Sequence, residues 1–345
     1  MLLTDENLIF HLSLARISFL KFSEKKILSK KIDNSHSLSL VSIEDIERII
    51  DRRLNGKALW NGRENLRMAE ISLHHCKAMG IKILLHDERD YPELLRQIDD
   101  PPYLLYCRGD EKLLSERSVS LVGTRRLSPD GKKAARDFAY QAVCDGCNVV
   151  SGLAAGADSF SHKGAVDAYF DYLEKGLDTM SLGKTIAVLP GAIDQIIPSS
   201  NKNLAAQILQ SGGLIISEYE PASLTAKWHF VQRNRIIAGL SPATVVVEAP
   251  AGSGSLITAD FALDMGRDLM FHKATFGRLA EQIARASNAV LESEHALGKV
   301  SKYKVENRPE KFIEAGAPVI TDYMDYKKCL AEAPGSRNPV QGCLF

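Results

Sequence analysis

The residues best suited to hold a ligand lie in a run of small side chains that follows a strongly apolar segment. Residues 243–248 are almost uninterrupted apolar and β-branched, a pattern typical of a central parallel strand covered on both faces. Ser253, Gly254 and Ser255 follow, just ahead of a predicted helix that begins at Leu256. Backbone amides at such a turn can converge on an anion, helped by the helix dipole. The pattern leaves open a phosphate site and a tight turn that only needs glycine.

Similar turns follow other predicted strands. From residue 118 onward, short apolar segments alternate with helical patterns, which predicts a parallel, doubly wound sheet of the α/β class. The strand-to-helix turns of such a sheet all lie at the edge formed by the carboxyl ends of the strands. We therefore expect one edge rich in glycine, hydroxyl groups and arginine, suited to phosphate. Besides the Ser253 loop, its expected members are Gly123, Thr124, Arg125, Arg126, Gly152, residues 190–191 and residues 218–220.

The composition excludes a protein with a global basic field. The 345 residues include 43 basic and 43 acidic side chains, so the formal net charge is zero and nucleic-acid binding would need a local patch. No signal-peptide pattern or membrane-length apolar run is present, so we expect a cytoplasmic protein. Cys144 and Cys147 form a C-x-x-C pair, but without a second pair or a nearby histidine we expect no metal site.

The apolar spacing also predicts the domain layout. Helical spacing dominates the first 90 or so residues, and a proline-rich junction follows. We predict a small helical N-terminal domain over residues 1–95 and a Rossmann-like domain over residues 96–332. A charged amphipathic helix is predicted as an insertion over residues 276–304, and residues 333–345 as a flexible tail.

Several longer motifs occur in a fixed order between residues 87 and 330. They are YPELLRQIDDPPYLLYCRG, LVGTRR, VVSGLAAGADSFSHKGAV, TIAVLPGAIDQIIPSSN, LIISEYEP, FVQRNRIIAGLS and VVVEAPAGSGSLITADFALDMGR. Together they resemble the DprA/Smf family of bacterial DNA-processing proteins. The resemblance implies an extended Rossmann-like fold behind a small helical domain.

The resemblance also implies a function. It implies a homodimer without a catalytic centre, metal or cofactor, which binds single-stranded DNA and delivers it to a RecA-type recombinase during natural transformation. Carried over to this sequence, Arg125 would contact backbone phosphate, Lys227 would be the second basic contact, and Phe230 would stack on bases. This assignment is physically reasonable, because cations follow the backbone and an aromatic face stacks on any base.

Each candidate on the predicted helix also has a structural alternative. Arg233, Asn234 and Arg235 are candidate DNA contacts, but Arg233 and Arg235 are two positions apart and cannot both contact one phosphate. Asn234 could instead tie loop backbone together, and Phe230 could pack inward. Asp158 and His162, one helical turn apart, are best interpreted as capping or packing groups, since no nucleophile accompanies them.

The sequence departs from the family pattern in places that bear on partners. Residues 269–278 replace the usual Val-Pro-Gly, and residues 170–184 and 276–304 look like insertions. These differences suit one alternative function, that of a DprA-like antitoxin in an anti-phage defence module, with a toxic enzyme as its partner. A second alternative is a nucleotide-binding or nucleotide-cleaving Rossmann-like protein, because the loop at Ser253 lies where such enzymes hold a phosphate, although the Gly-Gly-x-Gly-Thr loop of those hydrolases is absent.

Overall fold

A mostly parallel β-sheet runs through the centre of the fold. The computed structural model of the chain describes residues 4–56 and 58–332. Its strands are β1 Lys82–Leu85, β2 Leu104–Gly109, β3 Ser118–Val122, β4 Asn148–Ser151, β5 Thr185–Val188, β6 Leu214–Ser217, β7 Ala243–Val246, β8 Asp268–His272 and β9 Val319–Ile320. They form one nine-stranded sheet in the order β1-β2-β6-β5-β4-β3-β7-β8-β9. Only the pairings of β1 with β2 and of β2 with β6 are antiparallel among these strands. The predicted α/β class with a Rossmann-like parallel sheet is confirmed.

Helices cover both faces of the sheet and form the N-terminal region. The first five are α1 Asp5–Ala15, α2 Phe22–Lys31, α3 Ser35–Leu40, α4 Ile43–Ile50 and α5 Gly62–Ala78. Those that follow are α6 Glu93–Arg96, α7 Pro129–Cys144, α8 Ala157–Glu174, α9 Lys202–Gln210, α10 His229–Gly239, α11 Gly254–Asp264, α12 Arg278–Ala296, α13 Lys302–Glu306, α14 Pro309–Glu314 and α15 Tyr323–Glu332. The charged helix predicted within residues 276–304 is confirmed by α12.

The strand order creates a switch point at the centre of the sheet. Successive strands after β3 are added on one side, as β4, β5 and β6, whereas β7, β8 and β9 are added on the other side. The strands β3 and β7 are therefore neighbours, with Ser120 paired to Thr244 and Val122 to Val246. Loops that leave the carboxyl ends of two such strands diverge and open a crevice, the usual ligand site of doubly wound sheets.

One part of the helical prediction is wrong. Lys82–Leu85 is a strand, paired antiparallel with β2 so that Leu84 lies opposite Leu105. Four residues are too short a run to distinguish strand from helix by periodicity, and this strand depends on a partner about twenty residues further along the chain. The sheet thus begins inside the region predicted as a helical domain.

Other predictions from the sequence concern peripheral segments. The region 170–184 begins as the last turns of α8, which ends at Glu174. Residues 333–345, predicted as a flexible tail, lie outside the described residues. Across residues 4–56 and 58–332, no helix is long and apolar enough to cross a membrane, and no cluster of three or more potential metal ligands occurs.

Candidate nucleic-acid interface

The loop after β3 carries two exposed arginines, Arg125 and Arg126. Its ends are fixed by Glu248, a buried residue just beyond β7. The Glu248 carbonyl accepts a hydrogen bond from Thr124 N at 2.6 Å, and its carboxylate accepts from Ser128 N at 2.9 Å and from Ser128 Oγ. Burial raises the pKa of Glu248, while the Ser128 hydrogen bonds oppose that shift. The neighbouring strand at the switch point therefore holds the arginine loop in place.

Close packing explains the glycine that begins this loop. A Cβ atom at Gly123 would lie 2.7 Å from Ala157 Cβ and 3.0 Å from the Glu248 carbonyl oxygen. The loop is also joined to the next helix, because Ala157 N donates to Thr124 O at 3.1 Å. The predicted residues Gly123 and Thr124 thus shape the loop, whereas Arg125 and Arg126 extend from it.

The structure brings Arg125 and Phe230 together. The Arg125 guanidinium lies 5.4 Å from the centre of the Phe230 ring, a cation–π distance. Phe230, on the first turn of α10, is half-buried, so part of its ring stays open to solvent. Lys227 is exposed two residues before this helix begins. The three residues carried over from the family therefore comprise two exposed cations and a partly accessible aromatic ring.

Arg233 has a different environment. Its side chain is 4% exposed, and Nη1 donates to the carbonyl oxygens of Gly152, at 2.6 Å, and of Val188. Burial lowers the pKa of Arg233 to about 10, opposed by the charge of the nearby buried Asp158. A guanidinium held by two carbonyls inside the protein is not available to a phosphate of DNA. The expectation that Arg233 contacts DNA is therefore wrong. Gly152, another predicted DNA contact, instead provides a buried carbonyl oxygen that accepts from Arg233.

Arg235 and Asn234 also point into the protein. Arg235 is 5% exposed and pairs with Glu218 at 2.7 Å and with Asp100 at 3.2 Å. Burial lowers the pKa of Arg235, but the two carboxylates outweigh it and the net shift is upward. Asn234 Nδ2 donates to Gly254 O at 3.1 Å, which ties α10 to the start of α11. This geometry rules out Arg235 and Asn234 as DNA contacts. It agrees with the alternative in which Asn234 ties loop backbone together.

The Ser253 loop does not form the open anion site that its composition suggested. Ser253 Oγ lies 2.7 Å from Ser255 Oγ and caps its own helix by accepting from Ser255 N at 3.4 Å. The preceding amides are also used, because Gly252 N donates to Asn307 O at 3.1 Å and Ala251 N to Asn288 Oδ1 at 3.2 Å. Most donors that would cradle a phosphate are thus paired within the protein, two of them with Asn288 on α12 and with Asn307 just after α13. Gly254 stays exposed.

Asp158 and His162 have the geometry of packing groups. Asp158 accepts from Ala154 N at 3.2 Å, which closes the turn before α8. His162 Nδ1 lies 2.7 Å from Thr185 Oγ1 on β5. Burial, together with the charge of Arg233, lowers the pKa of His162 to about 3, so its imidazole is neutral at physiological pH.

One exposed aromatic residue beside Lys227 was not among the predicted site residues. Trp228 immediately precedes α10 and is 60% exposed. A signal for it was present in the sequence, since a tryptophan stands between a lysine and a phenylalanine in the segment KWHF. Tryptophan is highly buried on average, so its exposure here had to come from the structure.

Comparisons with known proteins assign the chain to a family. The family model described as DNA recombination-mediator protein A matches residues 82–305, well over half of the chain. Protein Smf of Borreliella burgdorferi is 30% identical over 75% of this chain and 77% of its own length. The DNA processing protein DprA of Bacillus subtilis is 37% identical over 56% of this chain and 61% of its own length.

Two solved structures have a similar fold. The DNA processing protein A of Streptococcus pneumoniae superposes with a TM-score of 0.63 at 27% identity, covering 93% of this chain and 96% of that chain. The DNA processing protein A of Helicobacter pylori, described with a single-stranded DNA binding mode, has a TM-score of 0.53 at 25% identity, covering 73% and 95%. The fold, the family model and the Smf relative agree. The chain therefore belongs to the DNA recombination-mediator protein A family, that is, the DprA/Smf family.

Proposed function

We propose that this protein binds single-stranded DNA without sequence preference, through Arg125, Lys227 and Phe230. The observation that carries the proposal is the placement of the Arg125 guanidinium 5.4 Å from the Phe230 ring, on a loop fixed by Glu248 at the switch point of the sheet. Both groups remain accessible there, and the exposed Lys227 lies just before the same helix as Phe230.

The chemistry of these groups matches a single strand better than a duplex. Arginine and lysine neutralise backbone phosphates, whereas an accessible phenylalanine ring stacks on unpaired bases. Because the formal net charge of the chain is zero, attraction to DNA would come from this local pair of cations. Base stacking tolerates any sequence, so the complex should show little sequence preference.

Family membership supports a wider role for this binding. We propose that the protein acts as a homodimer without catalysis, protects incoming single strands and delivers them to a RecA-type recombinase. The similarity to the Helicobacter pylori protein, with its described single-stranded DNA binding mode, is consistent with this substrate. The alternative of a nucleotide-binding protein has less support, because most amides of the Ser253 loop donate within the protein.

The test is fluorescence anisotropy with labelled single-stranded and double-stranded oligonucleotides across a salt series. The variant Arg125→Ala/Lys227→Ala should bind several single-stranded sequences more weakly by similar factors. Its salt dependence should also be flatter, by about 0.7 in the log–log slope for each lost phosphate contact on a single strand. The control variant is Arg48→Ala/Lys302→Ala, which removes the same charge from exposed sites on α4 and α13.

Unchanged affinity in the Arg125→Ala/Lys227→Ala variant would contradict the proposed site. Equal losses in the control variant would mean that overall charge, rather than these two residues, governs binding. Absence of oligonucleotide binding by the wild-type protein would contradict the proposed function itself. The antitoxin alternative would then gain support if the protein formed a complex with a toxic enzyme encoded beside it.

A further inference from the structure

Two neighbouring aromatic rings, His229 and Tyr219, hold the Trp228 side chain in place. Its indole meets the ring of the buried His229 edge-on, with centroids 4.1 Å apart. His229 in turn lies flat against Tyr219, with centroids 4.2 Å apart and ring planes 16° from parallel. His229 Nδ1 also accepts from Ala226 N at 3.3 Å, which fixes the imidazole against the turn before α10. These contacts hold the indole in place while Trp228 as a whole remains 60% exposed.

Trp228 lies at the edge of a cavity of about 700 Å³ between the N-terminal helices and the sheet. Other aromatic rings line the same cavity, from α2, β2 and the segments beside them: Phe19, Phe22, Tyr103 and Tyr106. Tyr219 and Gln232 line it on the Trp228 side. This volume is within the range of pockets that hold small organic ligands.

Charged side chains line the cavity as well. Arg235, Glu218 and Glu220 line it, and each has one buried polar atom without a hydrogen-bond partner: Nη1, Oε2 and Oε2, respectively. The aromatic part of the lining matches a ligand with a flat aromatic face, such as a nucleobase.

We propose that Trp228 is a second base-stacking residue of the single-stranded DNA site, and that the base it holds enters the mouth of this cavity. The proposal rests on the proposed function and deepens it. Lys227, adjacent to Trp228 and three residues before Phe230 in sequence, would contact the phosphate that links the two stacked bases. The single strand would thus run from Arg125 and Phe230, past Lys227, to Trp228.

The two tryptophans of the chain allow a direct test. Trp60 lies in the N-terminal region, where its indole Nε1 donates to Val41 O at 2.7 Å. The variant Trp60→Phe leaves Trp228 as the only tryptophan, and oligothymidylate of about 20 nucleotides should quench its emission saturably as the base stacks. The anisotropy titration above, repeated with Trp228→Ala, should show affinity lower by about tenfold.

Two further variants separate stacking from a general effect on the loop. Trp228→Phe should recover most of the affinity, because a smaller aromatic ring still stacks. Leu224→Ala is the matched control, since Leu224 is 91% exposed on the same segment and offers no stacking face. The salt slope of Trp228→Ala should equal that of the wild-type protein, because no phosphate contact is lost. That result distinguishes Trp228 from Arg125 and Lys227.

The outcomes separate this inference from the proposed function. If Trp228→Ala binds as tightly as the wild-type protein and the Trp228 emission does not change, the inference is wrong while the DNA site at Arg125 stands. Thymidine monophosphate alone could quench Trp228 emission at concentrations as low as those at which the oligonucleotide does. The cavity would then be a site for free nucleotides, which overturns the proposal that Trp228 stacks on a base of single-stranded DNA. If no oligonucleotide binds the wild-type protein, both fail.

Discussion

Glycine at position 152 leaves the space that the Arg233 guanidinium occupies. A Cβ atom there would lie 2.0 Å from Arg233 Nη1 and 2.4 Å from Cζ. We predict that Gly152→Ala lowers the free energy of unfolding by about 1–3 kcal/mol, because the guanidinium must leave its carbonyl acceptors or the backbone must shift. Urea denaturation measures the effect.

Another glycine of the predicted site supplies the control. A Cβ atom at Gly254 would have no atom within 4 Å, and this residue begins α11. Gly254→Ala should leave stability unchanged or raise it by up to about 1 kcal/mol, because alanine favours helix. Equal urea midpoints for Gly152→Ala and the wild-type protein would show that Arg233 does not need this space.

The candidate site also shows which residue roles the sequence can predict. Arg125, Arg233 and Arg235 are chemically equivalent in sequence, yet only Arg125 is exposed. The difference depends on acceptors far along the chain, since Arg233 donates to Gly152, 81 residues away, and Arg235 pairs with Asp100, 135 residues away. Spacing on the helix indicated that the two arginines diverge, but could not show that both point inward.

Helix α8 is held on strand β5 by a buried histidine. His162 Nδ1 lies 2.7 Å from Thr185 Oγ1, and burial lowers the pKa of His162 to about 3. The unfolded chain therefore binds a proton below about pH 6.5 that the folded chain binds only near pH 3. Stability from this group is fully present above the unfolded pKa and is lost as pH falls toward the folded pKa.

We predict that the wild-type protein loses about 1.5 kcal/mol of stability through His162 alone between about pH 6.5 and about pH 5. His162→Gln should lack this part of the loss, as measured by urea midpoints at both pH values. His74→Gln is the control, because His74 is exposed on α5. If His162→Gln and the wild-type protein show the same pH dependence, another group causes it.

Elements of the fold were more predictable than their contacts. Each strand from β3 to β7 is an apolar run ahead of a helix. These runs, and the alternation of strands and helices along the chain, follow from periodicity. The short strand β1 was missed, because its partner β2 lies elsewhere in the chain. The Ser253 loop illustrates the same limit. Its composition indicated free amides, but Asn288 Oδ1 and the Asn307 carbonyl oxygen accept hydrogen bonds from two of them.

At the scale of the whole molecule, one apolar cluster joins the N-terminal helices to the sheet. It contains Leu12 from α1 and Leu73 from α5 together with Tyr106 from β2 and Ile215 from β6. An ion pair between Arg16 and Glu220 crosses the same boundary. The sequence predicted two domains from a change in periodicity, but periodicity carries no information on how much surface two such regions bury against each other.

We predict that the two regions unfold together, because the shared cluster couples their stability. The variants Trp60→Phe and Trp228→Phe leave one tryptophan each, in the sheet region and in the helical region respectively, and Trp60 packs against the shared cluster. In urea, both single-tryptophan proteins should give coincident fluorescence transitions, which should also match the transition followed by far-ultraviolet circular dichroism. A Trp60 signal lost at lower urea than the Trp228 signal would mean that the helical region unfolds on its own. The cavity beside Trp228 would then open before the sheet unfolds, since the N-terminal helices form one of its walls.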